Sequence, residues 1–173
     1  MATRICDAAA IEALLAALHV PYRIVEHDPI LTVEEGFRLG VVDRIGVPAG
    51  NVVKNLLLAD THGGLLLVAA AGAARLDLKA IARTMGTTRL SFARPDVVTA
   101  RLGVEPGGVS LFSLLDAAAD GIRLVVDDTL PRLPGDIGFP AGGNTRTVVF
   151  AAAALPRVAA ALRPDAVVMP VAR

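Results

Sequence analysis

Two apolar runs separated by a short polar turn constrain the fold more than any other feature of this sequence. The first run covers residues 51–59, the second covers residues 65–71, and the residues between them read Asp-Thr-His-Gly-Gly. Apolar runs of this length, bounded by turn residues, are typical of buried strands. The sequence therefore predicts a buried β-hairpin.

Two polar residues, Lys54 and Asn55, interrupt the first of these strands. Because side chains alternate along a strand, we expect Lys54 on one face with Leu56 and Asn55 on the other face with Leu57. Burying an ammonium group without a partner is costly. Two interpretations stay open: the lysine extends from a strand edge to water, or it meets an anion in a cleft.

Helices and strands are predicted on both sides of the hairpin, without a regular β-α-β rhythm. Asp7 is expected to cap a first helix that Pro21 ends, and Thr32 and Glu35 form a capping box for a second. The other predicted elements are strands at 22–26, 122–126 and 145–150, and helices at 78–85, 95–102 and 155–162. This order favours a mixed α/β fold with a largely antiparallel sheet and helices packed around it. No linker divides the chain, so we expect residues 1–173 to form a single domain.

The composition narrows the range of functions. Lys plus Arg and Asp plus Glu balance at 17 each, so any contact with nucleic acid must be local, and DNA binding is not expected. Aromatic residues make up 3% of the chain, which argues against a base-stacking platform and predicts a core built mainly of Ala, Val and Leu.

Other features point to a cytoplasmic protein without metal or cofactor. Cys6 is the only cysteine, which excludes an internal disulfide and a four-cysteine zinc site. The chain shows no export signal, and its longest apolar run is too short to cross a bilayer. The three histidines, at positions 19, 27 and 62, are too far apart for a helical metal pair, and no serine lies in a nucleophile-elbow pattern. We expect His27 to be a turn residue that bonds locally.

Two glycine pairs, Gly107-Gly108 and Gly142-Gly143, offer backbone amides that a ligand can approach closely. Either pair is a candidate for holding a developing oxyanion, although glycine pairs alone are more typical of an ordinary turn. The stretch at 138–145 also resembles a phosphate-binding loop in its spacing. Asn144 occupies the lysine position there, so nucleotide binding is only a third alternative.

Short motifs spread along the chain resemble those of one family. In order, they are Glu26-His27-Asp28-Pro29, Thr32-Val33-Glu34-Glu35, Lys54-Asn55-Leu56, Arg75-Leu76-Asp77-Leu78-Lys79, Arg89-Leu90-Ser91-Phe92, Leu102-Gly103-Val104-Glu105-Pro106-Gly107 and Asn144-Thr145. Together they resemble the YbaK and prolyl-tRNA-synthetase-associated editing domains, especially the freestanding prolyl-tRNA deacylases.

This resemblance implies a barrel-like sheet and an enzyme that hydrolyses a mischarged amino acid from the acceptor end of tRNA, with tRNA(Pro) as the expected carrier. A tRNA synthetase is a further candidate partner. Lys54 and Gly107 are the expected catalytic residues. The expected substrate-binding residues are Asn55, Gly108, Ser110, Gly142 and Asn144. In such domains a ribose hydroxyl of the substrate helps the attacking water and backbone amides hold the carbonyl oxygen, so neither a nucleophile nor a cofactor is required.

Two departures from the family pattern leave the substrate open. Leu111 stands where the family's loop commonly has proline, and Ser113 where a glycine is often found. Pro140 and Ala141 stand where relatives that clear alanine carry histidine and proline. The alternative is therefore a non-catalytic module of the same fold that binds the tRNA acceptor end or a synthetase.

The basic residues Arg75, Lys79 and Arg83 also leave two interpretations open. Lys79 and Arg83 are four residues apart, as on a solvated helix face. Together with Arg75, they are also placed to contact the tRNA backbone.

Overall fold

The computed structural model of the chain describes residues 7–105 and 107–172, so Cys6 and Pro106 lie outside the described part. The described helices are α1 (Ala8–Ala17), α2 (Val33–Arg38), α3 (Val41–Ile45), α4 (Leu78–Met85), α5 (Pro95–Leu102) and α6 (Leu155–Leu162). The described strands are β1 (Tyr22–Glu26), β2 (Val53–Ala59), β3 (Leu65–Ala71), β4 (Ser91–Phe92), β5 (Arg123–Asp127), β6 (Asp136–Pro140), β7 (Arg146–Ala151) and β8 (Val167–Met169). Short 3-10 helices connect several of them.

The strands form two sheets, one with the order β1-β7-β6 and one with the order β4-β2-β3-β5-β8. The pairs β3–β5 and β5–β8 are parallel, and the other pairs are antiparallel. A single bridge between Val52 and Gly138 connects the sheets. The mixed α/β fold is therefore confirmed. The described pairings do not close the sheets into a barrel, so the barrel-like arrangement stays a prediction.

The predicted hairpin is present as β2 and β3, which pair from Val53 with Ala71 to Ala59 with Leu65. In the turn between them, the Asp60 carboxylate accepts hydrogen bonds from backbone N–H groups two and four residues ahead, both at 2.8 Å. The first strand begins two residues later than predicted. Asn51 instead ends a 3-10 helix, because its amide donates to the carbonyl groups of Pro134 and Asp136 at 2.7 and 3.0 Å.

The two faces of the hairpin pack into different cores. On one face, Val53 and Leu57 join the larger core together with residues of β6 and β7. On the other face, Leu58 packs into a smaller core with Ile81 and Met85 of α4. This alternation confirms the opposite placement of Asn55 and Lys54 that the strand period predicts.

The larger core is built mainly of Leu, Val and Ala, as predicted, but three of the five phenylalanines also meet in it. Phe139 and Phe150 stack with centroids 5.5 Å apart. Phe112 packs edge-on against both, at 6.0 and 6.2 Å. The low aromatic content could not predict this cluster, because even a few rings form a cluster when the fold brings them together from distant segments.

Side chains fix the helix starts much as predicted. Asp7 caps α1, and Thr32 accepts a hydrogen bond from the Glu35 amide at the start of α2. The Glu35 carboxylate accepts a hydrogen bond from the N–H of Leu31 at 2.7 Å. In a capping box it would accept from the N–H of the cap residue itself, Thr32.

The predicted strands at 122–126 and 145–150 are each displaced by one residue, to β5 and β7. Three strands, β4, β6 and β8, and the five-residue helix α3 were not predicted, because each is short and lacks a periodic pattern. Within residues 7–105 and 107–172, no helix has the length and apolar character needed to cross a membrane.

Candidate functional site

A cavity of about 540 Å³ opens where β2 of the larger sheet meets β6 and β7 of the smaller one. Residues before and within α2, in α3 and at the start of α5 also line it, together with Gly107 and Val109. Most of the lining side chains are apolar, with only a few polar groups among them. Such a combination is typical of a ligand pocket in which apolar walls provide affinity and a few polar atoms provide orientation.

An unpaired stretch of strand edge borders this cavity. β4 pairs with β2 only at Leu58 and Ala59, and the N–H of Ala93 extends the contact to the Leu57 carbonyl at 2.8 Å. At the other end, the bridge from Val52 to Gly138 occupies the edge. The middle of β2, which carries Lys54 and Asn55, therefore faces open space along its edge.

Lys54 lines the cavity, and its half-buried ammonium group donates a hydrogen bond to the Ala74 carbonyl. No carboxylate in the described part of the chain forms an ion pair with it. Its positive charge is therefore held in place by a neutral acceptor and left uncompensated. Of the two open interpretations, this arrangement favours a lysine that is prepared to meet an anion.

Asn55 lines the same cavity from the opposite face of β2. Its Oδ1 atom is buried and accepts no hydrogen bond from any described residue. An unsatisfied buried acceptor is rare and costs stability, on the order of 1–3 kcal/mol. A group of this kind beside a cavity is suited to accept a hydrogen bond from a ligand.

Gly107 also lines the cavity, and only glycine fits at this position. Its φ is +93°, and a Cβ there would lie 2.8 Å from Leu31 Cα and 2.9 Å from the Leu31 carbonyl oxygen. Its N–H makes no hydrogen bond within residues 7–105 and 107–172. Gly108, in contrast, donates its N–H to the Glu105 carbonyl at 3.0 Å and does not line the cavity.

The other predicted site residues do not reach the cavity wall. Ser110 is buried and caps the 3-10 helix at Leu111–Leu115 by accepting from the N–H of Phe112. Gly142 and Asn144 lie in the turn between β6 and β7, where the Asn144 carbonyl accepts from the N–H of Ile30 at 3.2 Å. Substrate binding by these residues and by Gly108 stays a prediction.

The two glycine loops nevertheless meet. A Cβ on Gly108 would lie 3.5 Å from Gly143 Cα, so the loops at 107–108 and 142–143 pack backbone against backbone. Gly138 and Pro140 belong to β6, and the turn after them leads into another strand rather than a helix. A phosphate-binding loop requires a helix at that point, so the nucleotide-binding alternative lacks its structural context.

One pair of site residues was missed by the sequence analysis. Thr147 of β7 lines the cavity, and its hydroxyl is 2.9 Å from Nε2 of His27. His27 is buried, and its Nδ1 lies 2.8 Å from the Asp28 carbonyl oxygen. The local bond expected for His27 is therefore confirmed, while the contact across 120 residues had no signal in the sequence.

A second groove lies along α4. Four of its lining residues, Arg75, Lys79, Arg83 and Arg89, are basic, and none is acidic. None of the four forms an ion pair or a side-chain hydrogen bond in the described part of the chain. The groove begins beside Ala74, whose carbonyl holds Lys54. We refer to these four residues as the basic groove.

Comparison with known proteins gives consistent matches. The model of the aminoacyl-tRNA editing domain family matches residues 27–158. The prolyl-tRNA editing protein ProX of Acetoanaerobium sticklandii is 34% identical over 122 residues, which cover 70% of this chain and 71% of that protein.

Two solved structures share the fold over nearly the whole chain. Hypothetical protein APE2540 superposes with a TM-score of 0.74 at 24% identity, covering 94% of this chain and 99% of that one. A protein assigned as a trans-editing enzyme for prolyl-tRNA synthetase gives a TM-score of 0.69 at 22% identity, covering 96% of each chain. At these identities the likeness concerns the fold alone.

Proposed function

This chain belongs to the aminoacyl-tRNA editing domain family, and on that premise we propose how its cavity works: it hydrolyses, in trans, the ester that joins a mischarged amino acid to tRNA. The protein is an aminoacyl-tRNA deacylase. The name of its relative ProX supports tRNA(Pro) as the carrier.

The observation that carries this proposal is the set of unmatched polar groups on one apolar cavity. The Lys54 ammonium lacks a counter-ion, the Asn55 oxygen lacks a donor, and the Gly107 N–H lacks an acceptor within the described residues. A phosphate requires a cation, an amino group requires a hydrogen-bond acceptor, and an ester carbonyl requires a hydrogen-bond donor. The cavity volume of about 540 Å³ suits an aminoacyl-adenosine.

We assign the roles accordingly. Lys54 binds an anionic or carbonyl oxygen near the terminal adenosine, and Asn55 accepts from a donor on the substrate. The Gly107 N–H stabilises the oxyanion that forms when water attacks the ester carbonyl. The carbon–oxygen bond to the ribose then breaks, and the proton lost by the attacking water passes to the ribose oxygen. Because an aminoacyl ester is already activated, positioning and oxyanion stabilisation replace a nucleophilic side chain.

We propose that the basic groove binds phosphates of the acceptor stem. Its four cations have no ion-pair partner among the described residues and are gathered on one surface of a chain whose total charge is zero. They form the kind of local basic surface to which a neutral composition limits a nucleic-acid contact. Since the groove begins beside the carbonyl that holds Lys54, tRNA bound there would enter the cavity from the α4 side.

Several finer expectations belong to the same proposal. We propose a cytoplasmic protein that acts as a single domain with a barrel-like sheet and that does not bind DNA. A tRNA synthetase is a candidate partner, because editing in trans acts on the product that a synthetase releases.

Deacylation of tRNA(Pro) charged with alanine, serine, threonine or cysteine tests the proposal. We expect turnover of at least one of these substrates by the wild type and its loss in Lys54→Ala. Arg132→Ala is the matched control, because Arg132 pairs with Asp128 away from the cavity and its loss removes one positive charge in the same way. Absence of turnover on every substrate would defeat the proposal.

A non-catalytic module is the rival, and the two departures from the family pattern motivate it. Leu111 is fully buried and begins a 3-10 helix, while Pro140 lines the cavity. Tight binding of a non-hydrolysable aminoacyl-adenosine analogue, combined with no ester cleavage, would favour this rival over the deacylase.

A further inference from the structure

Thr147 at the cavity wall and its hydrogen-bond partner His27 have no role in the reaction as proposed above. Thr147 is 7% exposed and His27 is 9% exposed, and their side chains meet at 2.9 Å. His27 follows β1, and its backbone N–H donates to the Thr145 carbonyl at 2.9 Å, which extends the pairing of β1 with β7. The two strands therefore hold the ring and the hydroxyl in register.

The hydrogen bonds of His27 determine what Thr147 can offer to a ligand. Nδ1 lies 2.8 Å from the Asp28 carbonyl oxygen, which can only accept, so Nδ1 carries the hydrogen. In the neutral ring Nε2 then has a lone pair and accepts the hydrogen of the Thr147 hydroxyl. Thr147 has no other hydroxyl hydrogen, so its oxygen presents only lone pairs to the cavity.

A second contact fixes the orientation of Thr147. A Cβ at position 138 would lie 2.8 Å from Thr147 Cγ2, so the threonine methyl occupies the space that Gly138 leaves by lacking a side chain. With the methyl against Gly138 and the hydroxyl against His27, the χ1 angle of this β-branched residue has one compatible setting. The Thr147 hydroxyl oxygen, which is the acceptor, is therefore held in one orientation.

Two residues that line the cavity therefore carry an oxygen acceptor, Thr147 Oγ1 and Asn55 Oδ1, to which no described residue donates a hydrogen bond. We propose that Thr147 accepts a hydrogen bond from the α-ammonium group of the esterified amino acid, with His27 as a positioning residue. This inference rests on the proposed deacylase function. An ammonium group carries three hydrogens and can serve both acceptors, whereas a ribose hydroxyl carries one.

The contact would make the enzyme selective for a free amino group. An N-acylated ester, such as peptidyl-tRNA, keeps one hydrogen on an uncharged nitrogen and so donates a weaker bond. Aminoacyl esters would then be cleaved in preference to peptidyl esters. Glu34, the carboxylate among the lining residues, is exposed, so a bond to it would be screened by water.

Matched pairs of substrates test this contact. tRNA(Pro) carrying alanine is compared with tRNA carrying propionate, and tRNA carrying serine with tRNA carrying 3-hydroxypropionate; each second ester lacks only the amino group. Thr147→Val removes the acceptor with little change of shape. We expect kcat/KM of Thr147→Val to fall about 10- to 100-fold on the aminoacyl ester and to stay within about twofold of wild type on the ester without the amine.

Two further variants separate the contact from a general effect on folding. Thr147→Ser retains the hydroxyl, and we expect it to recover most of the activity on the aminoacyl ester. His27→Leu frees the Thr147 hydroxyl to rotate, so the aminoacyl ester should again be affected selectively. The double variant should show little further loss, because both changes remove one interaction. Because both esters are measured with the same protein preparation, the ratio of the two activities does not depend on the fraction of the protein that is folded.

The possible results are distinguishable. An equal loss on both esters of a pair, or no loss in Thr147→Val, overturns the contact with the ammonium while leaving the deacylase in place. A selective loss in Glu34→Gln instead of Thr147→Val assigns the ammonium to Glu34 and also overturns it. Wild-type protein that cleaves none of the aminoacyl esters overturns the proposed function, and this inference with it.

Discussion

The cavity, which Lys54 lines, and the basic groove, which begins beside Ala74, are built in opposite ways. The cavity has apolar walls, and its lining residues carry a few polar atoms that no described residue pairs with, among them Asn55 Oδ1 and the Gly107 N–H. The groove has four cations whose side chains make no hydrogen bond or ion pair with the described residues. A charge or dipole acts strongly where water is excluded and weakly where water screens it. We therefore expect the cavity to control the chemical step and the groove to control affinity.

Lys54 belongs to both regions, because it lines the cavity while its ammonium is bonded to the carbonyl of Ala74 at the start of the groove. We expect Lys54→Ala to give the largest effect, a loss of about 100-fold or more in kcat/KM on the preferred aminoacyl-tRNA. Lys54→Arg keeps the charge but changes its shape, and should recover only part of the activity.

Single-turnover deacylation separates the two contributions of Lys54. If the lysine acts in the chemical step, the rate at saturating enzyme falls in Lys54→Ala. An unchanged rate at saturation with weakened binding would show that Lys54 contributes to affinity, as the groove does, and not to the chemical step.

Gly107 tests the geometry of the cavity wall. In Gly107→Ala the new Cβ would lie 2.8 Å from backbone atoms of Leu31, and the φ of +93° is unfavourable for alanine. We expect a loss of about 10- to 100-fold in kcat, because the amide that faces the carbonyl is displaced, and a fall in unfolding free energy of about 2–4 kcal/mol.

Gly121→Ala provides the matched control for Gly107. Gly121 has a φ of +76°, and a Cβ there would meet nothing within 4 Å. Its substitution adds the backbone strain alone, about 1 kcal/mol, and should leave deacylation unchanged. Equal kinetic effects of the two substitutions would show that Gly107 has no special relation to the substrate.

Asn55 should separate activity from stability. Asn55→Ala removes a buried acceptor that no described residue satisfies, so we expect the unfolding free energy to stay constant or to rise by up to about 1 kcal/mol. We expect kcat/KM to fall about 10-fold, because the substrate loses its acceptor. Chemical denaturation and deacylation of the same samples would measure both. A loss of stability equal to that of an ordinary core truncation would contradict the assignment.

The sequence predicted the parts of this molecule that depend on local chemistry. The hairpin, the caps at Asp7 and Thr32 and the ends of α4 and α5 follow from turn residues, capping side chains and periodicity. The strand period also placed Lys54 and Asn55 on opposite faces. Each of these inferences needs only residues within a few positions of one another.

What the sequence could not predict depends on contacts between distant segments. His27 and Thr147 are 120 residues apart, and neither carries a pattern that points to the other. No strand was predicted at β6, where Gly138 and Pro140 weaken a strand pattern, yet pairing with β7 and the bridge to Val52 stabilise it.

The basic groove should show the smallest effect of each single substitution. In Lys79→Ala or Arg83→Ala we expect tRNA affinity to fall about threefold at moderate salt, with kcat at saturation unchanged, because each residue is a solvent-screened contact to one phosphate. The slope of log Kd against log salt concentration should decrease by about 0.7–0.9 for each cation removed. Arg132→Ala, which removes a charge outside the groove, should leave that slope unchanged. A groove variant that instead lowers kcat at saturation, with the salt slope intact, would break the division between a region for chemistry and a region for affinity.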